Sequence, residues 1–224
     1  MLYELSLKFS RSLARYDDSI PPLELKPFSR IQHGDLNNQS SVDLFLHLGT
    51  HLDAPYHFCE SGPSIDELNI AGFIFHKALL IDAKCEKGGR IDRAFLDSHP
   101  RITEADILLI NFGYCHYMDQ ESVYRDNFPA LTADAAEYIR NELPNVKAIA
   151  IDTLSVDGTD GFATGFANHH ALLDVKDGNR TILIYECVDM RPIENTRGFF
   201  TLYGIPIRIK GADASPVTVI AEIE

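Results

Sequence analysis

The runs Ile107-Leu108-Leu109-Ile110 and Ile182-Leu183-Ile184 leave no polar side chain to turn toward water. A half-exposed strand alternates apolar and polar residues, so a strand apolar at every position has to be covered on both faces. With this constraint the chain reads as mixed α/β without an obvious linker. Strands are expected at 2–9, 42–48, 77–83, 106–112, 146–152, 181–187, 199–209 and 216–223. The clearest helix spans 133–143: Thr132 can cap it, Asp134 lies in its acidic first turn, Ala135, Ile139 and Leu143 form one stripe, and Pro144 stops it. Shorter helices are expected at 65–69 and 92–98, and the proline-bearing stretch 10–38 reads as an irregular arm.

The 224 residues suit one large domain or two small ones, with ample length for a core, and a single domain, 1–224, is expected. A formal net charge of −13 argues against nucleic acid or an anionic membrane as partner, since both repel an acidic surface. Cys59, Cys85, Cys115 and Cys187 form no C-x-x-C pair, so neither a zinc ribbon nor a thioredoxin motif is expected. The opening residues alternate like a strand and show no secretory pattern, and no apolar run approaches the ~20 residues of a membrane span. The expectation is a cytoplasmic protein with reduced thiols.

The chemistry concentrates in His47-Leu48-Gly49-Thr50-His51-Leu52-Asp53-Ala54-Pro55-Tyr56-His57. Three imidazoles fall at i, i+4 and i+10, with Asp53 between the last two. The preceding strand is expected to end near His47, Gly49 allows a turn, and Pro55 excludes a regular helix. If the chain is extended after the turn, His51 and Asp53 face the same side. Such a set of nitrogen and oxygen donors suits a first-row metal ion; the competing reading is a polar turn with coincidental histidines. Downstream, Asn168-His169-His170 precedes an apolar Ala171-Leu172-Leu173, and Glu186 ends an apolar strand. A carboxylate there is costly to bury unless it is paired or bound to metal. A strand-end salt bridge for Glu186 and a loop role for the histidines stay open on the residues alone.

The segment 47–58 resembles the signature of the cyclase-like metal-dependent hydrolase family, which includes kynurenine formamidases, isatin hydrolases and polyketide-associated cyclase-like proteins. Further landmarks match in order: Asp106-Ile107-Leu108-Leu109, Phe128-Pro129-Ala130-Leu131-Thr132, the stretch 148–157, the His169 region with Glu186, and Gly211-Ala212-Asp213-Ala214-Ser215-Pro216-Val217. The resemblance implies an α/β fold of the swivelling β/β/α type with a mixed sheet, and assembly as a homodimer or homotetramer. It implies that His47, His51 and Asp53 bind one ion, and that Asp53 bridges to a second held by His169 and Glu186. His169 is preferred to His170 because the family places its histidine three residues before the Leu-Leu pair. His57 would be the acid/base, and the ion zinc (one or two) or manganese.

Two departures stand out: the interval 174–180 is longer than usual, and Phe112-Gly113-Tyr114 replaces a common Thr-Gly-Trp in a chain with no tryptophan. Metal lowers the pKa of water from ~16 toward ~7, so the expected reaction is attack of water on a small amide or formamide. His57, with an ordinary pKa of ~6.5, would pass a proton to the leaving nitrogen. N-formylkynurenine is one candidate substrate and a cyclic amide such as isatin another. The chain has no G-x-S-x-G elbow. Ser155 reads as part of a strand-end turn, and Cys59, two residues from His57, is awkwardly placed as a nucleophile. The non-enzymatic alternative is a metal-dependent small-molecule-binding protein.

Overall fold

In the computed structural model, which describes residues 1–175 and 180–224, the apolar runs are staves of a barrel. The strands are β1 (Leu2–Glu4), β2 (Glu24–Ser29), β3 (Gln39–Asp43), β4 (His51–Asp53), β5 (Ile74–Asp82), β6 (Arg90–Ile91), β7 (Ile107–Asn111), β8 (Ala130–Leu131), β9 (Ala148–Ile151), β10 (Leu183–Glu186), β11 (Phe199–Pro206) and β12 (Ala214–Glu222). The α-helices among the described residues are α1 (Arg93–Asp97), α2 (Glu121–Tyr124), α3 (Ala133–Glu142), α4 (Gly161–Thr164) and α5 (Ala167–Leu173). Strands β5, β7, β9 and β10 run parallel. The others reverse direction: β11 pairs antiparallel with β5, β12 with β11, and β4 with both β12 and β10. Seven strands therefore close on themselves, and β1 extends the sheet along the far end of β12. This is the expected α/β fold with a mixed sheet, the sheet being closed.

Alternation along each stave separates two apolar layers. Leu52, Leu80, Leu109, Ala150, Tyr185, Leu202 and Val219, from all seven staves, fill the barrel. Ile81, Leu108, Ile149 and Ile184 point outward and are covered by Leu96, Ala135, Ile139 and Leu172 of α1, α3 and α5. The parallel strands are apolar throughout because both of their faces are buried. Thr132 stands at the N-cap of α3, but its hydroxyl donates to the Ile91 carbonyl and not to the helix. At the other end, Arg180 donates to the carbonyls of Ile139, Arg140 and Leu143, which have no partner within the helix.

Four expectations need correction. The strand placed at 42–48 ends at Asp43, and β3 pairs with β2 in a separate hairpin drawn from the supposedly irregular arm. His47 therefore lies in a loop, where the Leu48 amide donates to the Phe45 carbonyl and Gly49 takes φ +65°. The first strand is confined to Leu2–Glu4. No helix forms at 65–69. There the side chains of Asp66 and Glu67 accept from the backbone amides of Gly211 and Ser64, and Arg208 takes the Asp66 and Leu68 carbonyls, so the local groups are satisfied without helical bonds. Helix α1, capped by Asp92, falls where a helix was expected at 92–98. Part of the long interval 174–180 lies outside the described residues. Among the described residues no helix is long and apolar enough to cross a membrane.

Candidate metal centre

Strand β4 points Leu52 into the barrel, which turns its neighbours His51 and Asp53 outward together. Register sets His51 opposite Glu186 and Asp53 opposite Ile184 on β10. Helix α5 lies over this outer face and brings His169, so the histidine pair is helical and not part of a loop. The loop before β4 supplies His47, and a single 3-10 turn, Pro55–His57, supplies His57. Residues separated by up to 139 positions thus share one buried cluster, with Asp53 at its centre and only 1% exposed.

The hydrogen bonds around the cluster decide which atoms face inward. The Nδ1–H of His51 donates to the Gly49 carbonyl at 2.8 Å, and the Nδ1–H of His169 donates to Asp157 at 2.5 Å. Both rings therefore present Nε2 to the carboxylates. His51 Nε2 lies 3.3 Å from Asp53 and 3.6 Å from Glu186. His169 Nε2 lies 3.6 Å from Asp53 and 3.7 Å from Glu186. His47 donates from Nε2 to Asp213 at 2.8 Å and holds Nδ1 2.9 Å from Asp53. The Val156 amide donates to Glu186 at 2.8 Å. Two triads, His47–Asp53–His57 and His51–Asp53–Glu186, each bring three donor atoms within 4.8 Å of one another, and both contain Asp53.

These charges perturb one another strongly. Burial opposes ionisation of Asp53, but the surrounding imidazoles of His51, His47 and His169 outweigh it and hold the carboxyl well below its usual range. Burial would also lower His47 and His169. Asp53 and Asp213 around the first, and Asp157, Asp53 and Glu186 around the second, push each up to about 10. Burial, reinforced by Asp53, raises Glu186 to about 7. Burial keeps His57 below its ordinary value despite Asp213, whose carboxylate is 3.5 Å from its Nδ1.

A metal ion fits this set. His51 Nε2 and both Asp53 oxygens are buried without a hydrogen-bond partner, a costly arrangement for three polar atoms unless a further group binds them. A metal-binding imidazole usually donates its other ring N–H to a carbonyl or carboxylate, as His51 and His169 do here.

All six residues singled out from the sequence, His47, His51, Asp53, His57, His169 and Glu186, meet here. His170 does not: it points away from the cluster and pairs with Asp174 at 2.9 Å. Asp157 and Asp213 were read only as landmarks, and no local spacing marks them as partners of imidazoles. Ser155 accepts from the Asp157 amide, consistent with a turn-shaping role, and Cys59 contacts Ser61. A cavity of about 280 Å³ opens beside the cluster, walled by Tyr16, Phe45, Phe58, Leu154, Phe162 and Phe166. Phe112 and Tyr114, marked by their departure from the family pattern, line a different cavity at the end of β7.

A family model described as "Putative cyclase" matches residues 3–158. The chain belongs to the cyclase family. A kynurenine formamidase of Bacillus thuringiensis subsp. konkukian is 25% identical over 219 residues, covering 97% of this chain and 95% of that relative. The fold is shared with isatin hydrolase A from Ralstonia solanacearum, at TM-score 0.82 and 19% identity over 100% of this chain and 92% of the other. It is shared equally with an isatin hydrolase bound to the product analogue thioisatinate, at TM-score 0.84 and 15% identity, covering 99% and 92%. The family match spans the whole segment 47–57, while His169 and Glu186 lie beyond it and are brought to the cluster by the fold.

Proposed function

We propose that this chain is a metal-dependent hydrolase of small aryl amides or formamides, in the manner of an arylformamidase. The observation that carries the reading is the Asp53 carboxylate, buried without a hydrogen-bond donor among His47, His51, His169 and Glu186 at the foot of an aromatic cavity. His47, His51 and Asp53 would hold one zinc or manganese ion, and Asp53, His169 and Glu186 a second. A divalent ion there supplies an activated water and polarises a carbonyl oxygen.

The chain's own groups handle position and protons. Gly49 and Asp157 fix the rings of His51 and His169 through their Nδ1 atoms. The aromatic walls exclude water around a flat acyl-aryl group. His57 lines the cavity with its Nδ1 toward Asp213. Kept neutral by burial, it can take a proton at the start of the reaction and return it to the departing nitrogen.

Turnover of an aryl formamide panel with and without chelator tests the reading. Chelator-sensitive hydrolysis is expected. His57→Asn is expected to lower kcat by ~10²–10⁴-fold while metal content stays at the wild-type level. Stoichiometric metal without turnover of any linear or cyclic amide would favour a binding protein, and loss of metal in His57→Asn would make His57 a ligand.

A further inference from the structure

The cavity beside the cluster is aromatic from floor to mouth. Phe58 stacks on the His169 ring at a centroid distance of 4.5 Å, and Phe166 meets the same imidazole edge-on. Tyr16 packs against Phe162 and Phe166 at 6.1 and 6.5 Å. Phe45 and Phe162, 37% and 71% exposed, stand at the opening. The two hydroxyls of the lining are engaged locally: Tyr16 donates to the Gly158 carbonyl at 3.0 Å, and Ser155 accepts from the Asp157 amide at 3.2 Å. Among the described residues the lining contains no lysine or arginine. Arg90, which packs against Gly158, is held by Asp160. The ionisable groups of the lining, His47, His57, His169 and Glu186, all belong to the candidate metal centre. An uncharged ring entering here gains edge and face contacts, whereas an ammonium and a carboxylate held away from that centre would lose water against phenyl rings.

We propose that this cavity selects uncharged aryl groups and discriminates against substrates carrying an amino-acid head group, with Phe162 at the mouth as a specificity-determining residue. The proposal rests on the hydrolase reading and narrows it to one class of aryl amide.

Kynurenine and 2′-aminoacetophenone share an aminophenyl ketone and differ only in the amino-acid group. Each is titrated calorimetrically into the metal-loaded protein. The expected result is a Kd for 2′-aminoacetophenone lower by about tenfold or more. Phe162→Arg sets a guanidinium at the exposed mouth without touching the core. It is expected to tighten kynurenine binding by about fivefold and to leave 2′-aminoacetophenone within about twofold. Kynurenine binding as tightly as its uncharged counterpart in the wild type overturns the selectivity. An unchanged ratio in a folded Phe162→Arg protein overturns the role of Phe162. Because binding is read without turnover, the two readings fail separately: no hydrolysis with the binding preference intact removes the hydrolase and leaves the selectivity.

Discussion

Replacing Asp53 with Asn keeps the side chain's shape and removes the charge that His47, His51 and His169 surround. Asp53→Asn is therefore expected to abolish metal retention. Asp157→Asn, which weakens the support behind the His169 ring and at the Asn168 and His169 amides, is expected to lower affinity by ~10–100-fold. Elemental analysis after dialysis against graded chelator separates the two, and wild-type occupancy in Asp53→Asn would refute the centre. Without the ion, His47 and His169 are raised from 6.5 to about 10. Imidazoles raised in this way stabilise the fold fully below pH 6.5 and lose that effect as pH climbs through about 10. Glu186, raised from 4.5 to about 7, favours the protonated folded form and acts in the same direction over its own range. The melting temperature of metal-free protein is thus expected to fall between pH 6.5 and 10, and excess zinc to flatten the trend because ligation replaces those protons. A melting temperature that rises over that interval contradicts the assignment. His47, His51, Asp53 and His57 were legible because they crowd into eleven residues. His169 and Glu186 needed the family resemblance, and Asp157 and Asp213 stood out only as landmarks, because a carboxylate that orients a ring across space has no fixed spacing from it.

At the scale of elements, the parallel strands and the long helix were legible because burial on two faces, or on one stripe, writes itself into composition. The turn at 65–69 and the loop holding His47 were not, since side-chain-to-backbone bonds and one left-handed glycine decide them. Strand β4 is three residues long, too short to show a period. Asp152, just past the end of β9, illustrates a junction hidden in the same way. Its two carboxylate oxygens accept from the amides of Phe112 and Cys115, each at 2.9 Å, and so tie the exit of β9 to that of β7. Burial pushes this carboxyl up to about 6 against those two bonds. Asp152→Ala leaves two buried amides without acceptors and is expected to cost ~2–6 kcal/mol in urea denaturation, at ~1–3 per orphaned group. A loss under ~1 kcal/mol would show that the junction is held by packing alone.

For the molecule as a whole, closure of the sheet was the feature least legible in the sequence, because it depends on β4 reaching two partners at once. Along that seam the Val217 amide donates to the Thr50 carbonyl and the Ala54 amide to the Asp213 carbonyl. Between those two bonds, β4 pairs with β12 and β10 through His51 and Asp53, whose side chains form the candidate centre, so with an ion bound there, parting the seam and releasing the ion would become one event. Anything that binds only the closed form makes opening rarer in proportion to its free concentration over its dissociation constant. Deuterium uptake at the amides of Ala54 and Val217 is therefore expected to slow about 100-fold when free zinc exceeds its Kd about 100-fold. Amides of the β2–β3 hairpin, outside the closed sheet, are expected to exchange at an unchanged rate. Uniform slowing across both regions, or none at the seam, would separate the ion from the closure. If the seam alone responds, the supply of metal becomes a clock that sets how long each barrel stays shut.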